Sequence, residues 1–496
     1  MQTQIEHGYI DISTGKYWNA QTNKWVIKLR PSTKGTNKGA AIGKTKGYTY
    51  KKKLEAINKD ATNWQTYAWL PINLSLEKLA MDAQKHWHHE VKFELDRALS
   101  LSSLIIVKRT SAIKSKKNTH FYKQGYTNVS SKALKKWVHS QNYEQYLQFF
   151  QDAKYIIRSK TYASNSYAKQ IKWVNNLVFK QGDLRKYYRV PYSDERVLVR
   201  LYNLKKEKRK EILKNKSRLE LTHNLELISK DFDIAGFTAW ALSNPHEFKN
   251  LDELNEYLVR VQRFQAGDMY LNCMDEFGER FHSLFTNSKK IIRKFIIIDG
   301  KAPIEIDIKN SQMFFMSCLT LYKEQSYQIL KKNYNTTLLY KNLHLMDYYY
   351  NSHADYKTFI DHSISGNIYQ FIIKGFKEIG KIYTKKQVKD MCFKALFSKE
   401  GECKRSKKIL NHLFPSVIQV CEIINRNDGG FPKLLQRFEA RTLLDMIATK
   451  ANEVCPFPFV TVHDSYICAP QNKELFLQLI KDTFTNLGLP IPKTNL

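Results

Sequence analysis

Two aspartates stand in surroundings suited to metal chemistry. Asp307 closes the alternating run Ile304-Glu305-Ile306-Asp307-Ile308, whose period of two predicts a strand ending near Asp307. Asp464 follows the apolar run Phe459-Val460-Thr461-Val462-His463, and Ser465-Tyr466-Ile467 begins a second strand after it, so Asp464 is expected in the turn between strands. Carboxylates on adjacent strand edges are hard oxygen donors that can hold two Mg²⁺ ions, with Mn²⁺ as a substitute. One ion would lower the pKa of an attacking hydroxyl while the other would stabilise departing pyrophosphate. Paired carboxylates also support hydrolysis, so a nuclease is a second chemistry open to the same pair.

Between these aspartates lies KKQVKDMCFKALFSK, in which Lys385, Lys389, Phe393 and Phe397 recur every four residues. On a helix they form one slowly drifting face. Two lysines on such a face suit a triphosphate better than they suit hydrolysis. A packed amphipathic helix is the alternative for the same pattern.

The elements that must position these residues belong to a chain of 496 residues, long enough for two to four subdomains. It is 43% hydrophobic and 26% charged, as expected of a folded protein. Its 80 Lys plus Arg against 47 Asp plus Glu give a formal charge of +33, which points to a long polyanion as partner. No stretch has the length and apolarity of a membrane span, and the N-terminal segment MQTQIEHGYIDISTGKYW lacks the apolar core of a signal peptide. Seven cysteines without a CxxC pair predict a reduced, cytoplasmic or other intracellular setting, with no disulfide framework or structural zinc.

All eight tryptophans lie at or before Trp240, marking the first half as a different module from the second. A hairpin is expected around Asn19 to Val26, and residues 30–58 read as a basic surface. Apolar spacing predicts mainly helical structure over 72–100 and 130–185, with His86, His88 and His89 on a solvated or packed helix face. Lys205, Lys206, Lys208, Arg209, Lys210, Lys214, Lys216 and Arg218 make a strongly basic helical segment, either a clamp on phosphates or a solvated face. Residues 249–275 read as an amphipathic helix. β-rich runs at 295–308 and 458–469, separated by helical sequence, predict a chain that leaves a sheet, builds a helical subdomain and returns.

The two aspartate segments resemble motifs A and C of the family A DNA polymerases and the single-subunit phage or mitochondrial RNA polymerases. The lysine–phenylalanine segment between them resembles motif B. The resemblance covers roughly residues 275–496. It implies an α+β, right-hand polymerase with an antiparallel β palm, helical fingers and thumb, and here a mainly helical N-terminal module. The expected divisions are a basic N-terminal module of unassigned role (1–195), a thumb-like region (196–274), the first part of the palm (275–345), fingers (346–440) and the second part of the palm (441–496).

By the same resemblance Asp307 and Asp464 bind metal, and His463 sits near the primer terminus. Lys385 contacts the outer phosphates, and Lys389 supports charge transfer at the α-phosphate. Phe393 packs on sugar and base, and Phe397 lies near the templating pair, with Ser398 where glycine is usual. Gly278-Glu279-Arg280 resembles the segment entering the palm, with Arg280 on the primer–template. Asp361 to Tyr369 resembles the fingers helix before motif B. Gln436 and Arg437, with Glu439 beside them, fall where the family touches the minor groove. Arg293 and Lys294 face either the nucleotide and template or solvent.

The departures bear on the sugar. Gln312 stands five residues after Asp307, where DNA polymerases carry a glutamate that excludes the ribose 2′-hydroxyl, and His-Asp-Ser is closer to the RNA polymerase pattern. Phe393 and Phe397 point the other way, because Phe397 lacks the phenolic hydroxyl used to recognise ribose. The expectation is a primer-extending DNA polymerase that is monomeric and takes nucleoside triphosphates, primer and template. The alternatives are a ribonucleotide-using RNA polymerase or primase-like enzyme, and a catalytically inactive nucleic-acid-binding replication protein.

Overall fold

The computed structural model describes four short strands within residues 4–26, and residues 67–495 except 112–123, 160–168, 213–215, 266–272, 284–285, 333 and 428–429. The protein is α+β, with helices predominating over small antiparallel sheets. Its chain forms two compact units, one of Met1–Lys208 with Ile234–Asp268, the other of Arg209–Asp233 with Met269–Leu496.

The first unit is built on aromatic packing. Trp87 meets Phe93 and Tyr146 with ring centroids at 5.2 and 4.8 Å, and Phe150 meets Trp173 at 5.9 Å. Trp69, Phe149 and Ile171 are buried in the same core. The early concentration of tryptophan therefore reflects the core of this unit. His89 packs edge-on against Trp87. The strand Lys16–Asn19 pairs with Lys24–Val26 as a hairpin.

Short strands interrupt the helices expected in the first half. Residues 130–185 contain the helices Ser131–Trp137 and Tyr143–Asp152, but Ile156–Arg158 and Lys169–Trp173 are paired strands. Ile156–Arg158 is only three residues long, and Lys169–Trp173 buries Gln170 and Ile171 in succession, so neither shows a period of two. With further pairing of Tyr67–Pro71 to Tyr187–Pro191, the N-terminal module combines its helices with small antiparallel sheets. Within 196–274 the described residues are mainly helical up to Gln265 while Cys273–Met274 is a strand, and the helices divide between the two units. Ile234–Ser243 and Leu251–Gln265 group with the first unit, whereas Lys216–Lys230 groups with the second. Residues 30–58 and the side chains of the basic cluster from Lys205 to Arg218 lie outside the described residues.

The second unit carries the two aspartates. Its hairpin β1 (Cys273–Met274) and β2 (Phe281–His282) leads to β3 (Ile304–Ile308), where Ile306 and Ile308 are buried and Glu305 and Asp307 face the other way, half-exposed. Helix α1 (Ser311–Leu321) follows; its first ten residues are all buried, so it is a core helix rather than an amphipathic one. After further helices come α2 (Ile368–Glu378), α3 (Lys385–Phe397) and α4 (Gly430–Ala440), which continues through a π-helical stretch at Arg441–Ala448. The chain then returns to the sheet as β4 (Val460–Val462), β5 (Ser465–Cys468) and β6 (Thr494–Asn495). The antiparallel order is β4-β5-β3-β6. Phe315 packs against Phe438 and Phe484 in the core of this unit.

Candidate active site

The two aspartates meet through strand pairing. Asp307 lies opposite Ser465 in the β3–β5 register, and the Ile308 N–H donates to the Asp464 carbonyl at 3.1 Å. His463 and Asp464 are the two residues of the β4–β5 turn, and His463 takes the left-handed φ of 56°. Histidine is among the non-glycine residues that reach this region most readily. Asn310 (φ 55°) makes the corresponding bend between β3 and α1, fixed by its amide donating to the Gly366 carbonyl at 2.8 Å. That bend brings the Ser311 hydroxyl to donate to the Asp464 carboxylate. On the other side, Asn495 at the C-terminal edge strand reaches Asp307 Oδ2 at 3.4 Å.

Burial and the neighbouring charge of Asp464 raise the pKa of Asp307, with Asn495 and Lys389 opposing. Asp307 is thus held where the neighbouring carboxylate makes its charge more costly, an arrangement that a divalent cation would relieve. Among the described residues, no group of three or more His, Cys, Asp or Glu is set to hold a metal. The donor set fits Mg²⁺ nonetheless, because that ion uses one or two carboxylates and completes its shell with water and substrate phosphate.

Helix α3 begins with a capping box in which Thr384 and Gln387 satisfy each other's end groups. Its buried face is Val388, Met391, Cys392, Ala395 and Leu396. Lys385, Lys389, Phe393 and Phe397 occupy the other side and line a cavity of about 550 Å³. The four-residue pattern is therefore the open face of α3, and the packed-face alternative does not hold. Lys389 lies 5.8 Å from the Phe393 ring, which meets Phe397 edge-on at 5.2 Å. Neither lysine is tied to a carboxylate by a salt bridge among the described residues.

The same cavity is lined by Asp307, Asp464, Gln312, Arg280, His463 and Gln436. Arg280 forms a buried ion pair with Glu439 on α4, 159 residues away in sequence. Burial lifts Glu439 to about 7 despite that partner, with the charge of Asp464 adding to the rise. Gln312 is buried and near enough to Glu439 to oppose this rise, yet its amide has no hydrogen bond of normal geometry. The surroundings strip water from His463 although its ring remains open to the cavity. With Arg280, His282 and Arg293 nearby, its pKa falls to about 4.

Arg437 stands apart from the other expected residues. It does not line the cavity, and its guanidinium donates to the carbonyls of Phe277 and Glu276 at 3.0 and 2.9 Å. The helix turns its neighbour Gln436 inward instead. Arg293 pairs with Glu305, and Lys294 is exposed away from the cavity.

Beside the stretch from Ile308 to Ser311, the lining residues without a role assigned from sequence are Tyr369, Glu439 and Asn495. Tyr369 ends a quoted fingers-like segment without a distinguishing pattern. Glu439 gains its place through long-range pairing with Arg280. Asn495 sits in a two-residue strand with no local signal. No described helix is long and apolar enough to cross a membrane. No protein-family model, curated protein or solved structure matches this chain.

Proposed function

We propose that this chain is a template-directed nucleotidyltransferase that adds deoxynucleotides to a primer 3′-hydroxyl. The observation that carries the reading is that the open lysine–phenylalanine face of α3 lines the same cavity as Asp307 and Asp464. Carboxylates alone would serve a nuclease equally well. Two uncompensated lysines and two aromatic rings beside them match a triphosphate joined to a base.

In this reading Asp307 and Asp464 hold Mg²⁺, which when bound activates the primer hydroxyl and stabilises leaving pyrophosphate. Lys385, at the first turn of α3, binds the outer phosphates. Lys389, one turn deeper and close enough to Asp307 to lower its pKa, neutralises charge on the transferring phosphate. Phe393 and Phe397 hold sugar and base. Arg280, kept in place by Glu439, meets the primer–template beside His463. The β4-β5-β3-β6 sheet serves as palm and the helices of 346–440 as fingers.

Gln312 supports a second reading for the sugar. Its buried amide offers a donor and an acceptor at the cavity wall without a hydrogen bond of normal geometry, and a ribose hydroxyl could use both. Phe397 supplies no such group, which favours deoxynucleotides.

Primer extension on DNA and RNA templates, with dNTPs or NTPs and with Mg²⁺ or Mn²⁺, tests both readings. Incorporation should depend on Asp464 and favour dNTPs. No Asp464-dependent incorporation under any combination sinks the polymerase reading, and a preference for NTPs moves the assignment to ribonucleotide synthesis.

A further inference from the structure

One polar side chain at the cavity wall has no part in the proposed reaction. Tyr369, the second residue of α2, is 2% exposed. Its ring belongs to the buried face of that helix with Ile368, Ile372 and Phe376, yet the residue also lines the cavity. The hydroxyl is the only polar group such a side chain can offer there. Among the described residues it has no hydrogen-bond partner. A buried tyrosine ordinarily finds one, because an unpaired phenol O–H held away from bulk water costs free energy. An unpaired O–H at the wall of a cavity of about 550 Å³ is suited to a group that enters the cavity.

The surroundings of Tyr369 narrow the class of that group. Burial, with Cys392 and Asp464 nearby, holds the phenol well above the usual tyrosine range, so it acts as a neutral donor. Lys385 and Lys389, on the first two turns of α3, already offer charge to the phosphates. Cys392 lies beyond them along α3 and directly precedes Phe393, the ring that holds the sugar in the proposed reading. Tyr369 therefore stands near the level of Phe393 on the approach to Asp464. The part of a nucleotide that falls there is the sugar, whose hydroxyls can accept the phenol proton. The position of α2 is also tied to the strand that carries Asp307. Asn310 donates to the carbonyl of Gly366, two residues ahead of α2, at 2.8 Å.

We infer that Tyr369 is a specificity-determining residue whose hydroxyl hydrogen-bonds a sugar hydroxyl of the incoming nucleotide. This rests on the nucleotidyltransferase reading for the identity of the ligand. The cavity then holds a phenol for the sugar, supplied by α2, although Phe397 on α3 carries none.

The test is calorimetric binding to the full chain, in Mg²⁺ and without primer, for wild type and Tyr369→Phe. The ligands are dATP, ATP, the dideoxy analogue of ATP, and tripolyphosphate, which has no sugar. Tyr369→Phe removes one oxygen and keeps the ring, so it should melt no lower than wild type. Affinity should fall roughly fivefold for nucleotides that carry the contacted hydroxyl, the scale of one neutral hydrogen bond. The dideoxy analogue and tripolyphosphate should bind both proteins equally. A loss for dATP and ATP alike assigns the bond to the 3′-hydroxyl, and a loss for ATP alone assigns it to the 2′-hydroxyl; either supports the inference. Unaltered affinity for both nucleotides overturns it, as do equal losses for all four ligands or a lowered melting temperature. Sugar-dependent binding through Tyr369 without incorporation in primer extension counts against the polymerase reading alone. Incorporation by wild type, with nucleotide affinity unchanged in Tyr369→Phe, counts against this inference alone.

Discussion

Asp252 in the first unit and Asp307 in the second are both partly buried carboxylates, and their surroundings act on them in opposite directions. Asp252 accepts Arg109 at 2.7 Å and Lys186 on its other oxygen. These cations outweigh its burial and lower its pKa. Asp307 has burial and Asp464 acting to raise its pKa, with a hydrogen bond of 3.4 Å from Asn495 and the charge of Lys389 failing to offset them. Lys385 and Lys389 line the same cavity without neutralising it by a salt bridge. The first arrangement is complete as it stands and serves the fold. The second leaves charges of both signs separated around open volume, at a cost in stability that a charged ligand would offset.

That contrast can be broken most forcefully at Lys389. If its charge acts on the transferring phosphate, Lys389→Gln should lower the rate of nucleotide incorporation on the order of 100-fold, the scale for losing one group that stabilises developing charge. Single-turnover kinetics read this directly, and an unchanged rate would make Lys389 a solvated lysine. Lys385→Gln should act more weakly and on a different parameter. A contact made equally before and during reaction changes KM for the triphosphate, here by about tenfold, with little effect on kcat.

Stability separates the two carboxylates by sign. Asp252 has a lowered folded pKa, so its contribution is present above its unfolded value near 3.8 and is lost as pH falls through the folded value. Asp252→Asn should cost about 1 kcal/mol at pH 7 after allowing for its partial exposure, and the difference from wild type should close in acid. Asp307 has a raised pKa, so ionising it costs more in the folded protein than in the unfolded chain. Asp307→Asn should therefore melt no lower than wild type, and slightly higher. All eight tryptophans lie in the first unit, so their fluorescence follows the Asp252 effect, while calorimetry follows both. Destabilisation by Asp307→Asn would show that the cavity carboxylate is structural after all.

The smallest effect concerns His463. With its pKa lowered to about 4, the neutral ring is favoured in the folded state. Its contribution is present above the unfolded value near 6.5 and is lost as pH falls through 4. An NMR titration of its ring protons should show an inflection near 4, and one near 6.5 would contradict the crowding by Arg280, His282 and Arg293.

Local pattern was enough to read much of this cavity. The alternation of Ile304 to Ile308 marked a strand because one face is buried, and the apolar run before His463 marked another because Val460 to Val462 are all buried. The four-residue spacing from Lys385 marked a helix face, although spacing alone left open which side was packed; the buried set at 388, 391, 392, 395 and 396 resolved that. Interactions with no local signature were not legible. Asn495 depends on a two-residue strand, the Arg280–Glu439 pair joins residues 159 positions apart, and the inward turn of Gln436 rather than Arg437 depends on how α4 meets the 275–279 turn. The short strands of the first unit were hidden for a related reason, since Ile156–Arg158 has only three residues and Lys169–Trp173 buries Gln170 and Ile171 in succession, so neither alternates.

The central claim is that Asp307 and Asp464 act as a reactive pair while Asp252 serves the fold. Single-nucleotide incorporation on one primer–template in Mg²⁺, below the melting temperature of every variant, tests it most directly. The account predicts incorporation by wild type and Asp252→Asn, and losses of at least about 1,000-fold for Asp307→Asn and Asp464→Asn, on the order seen when groups that act as a unit are removed. Incorporation at the wild-type rate by either of the last two would contradict it.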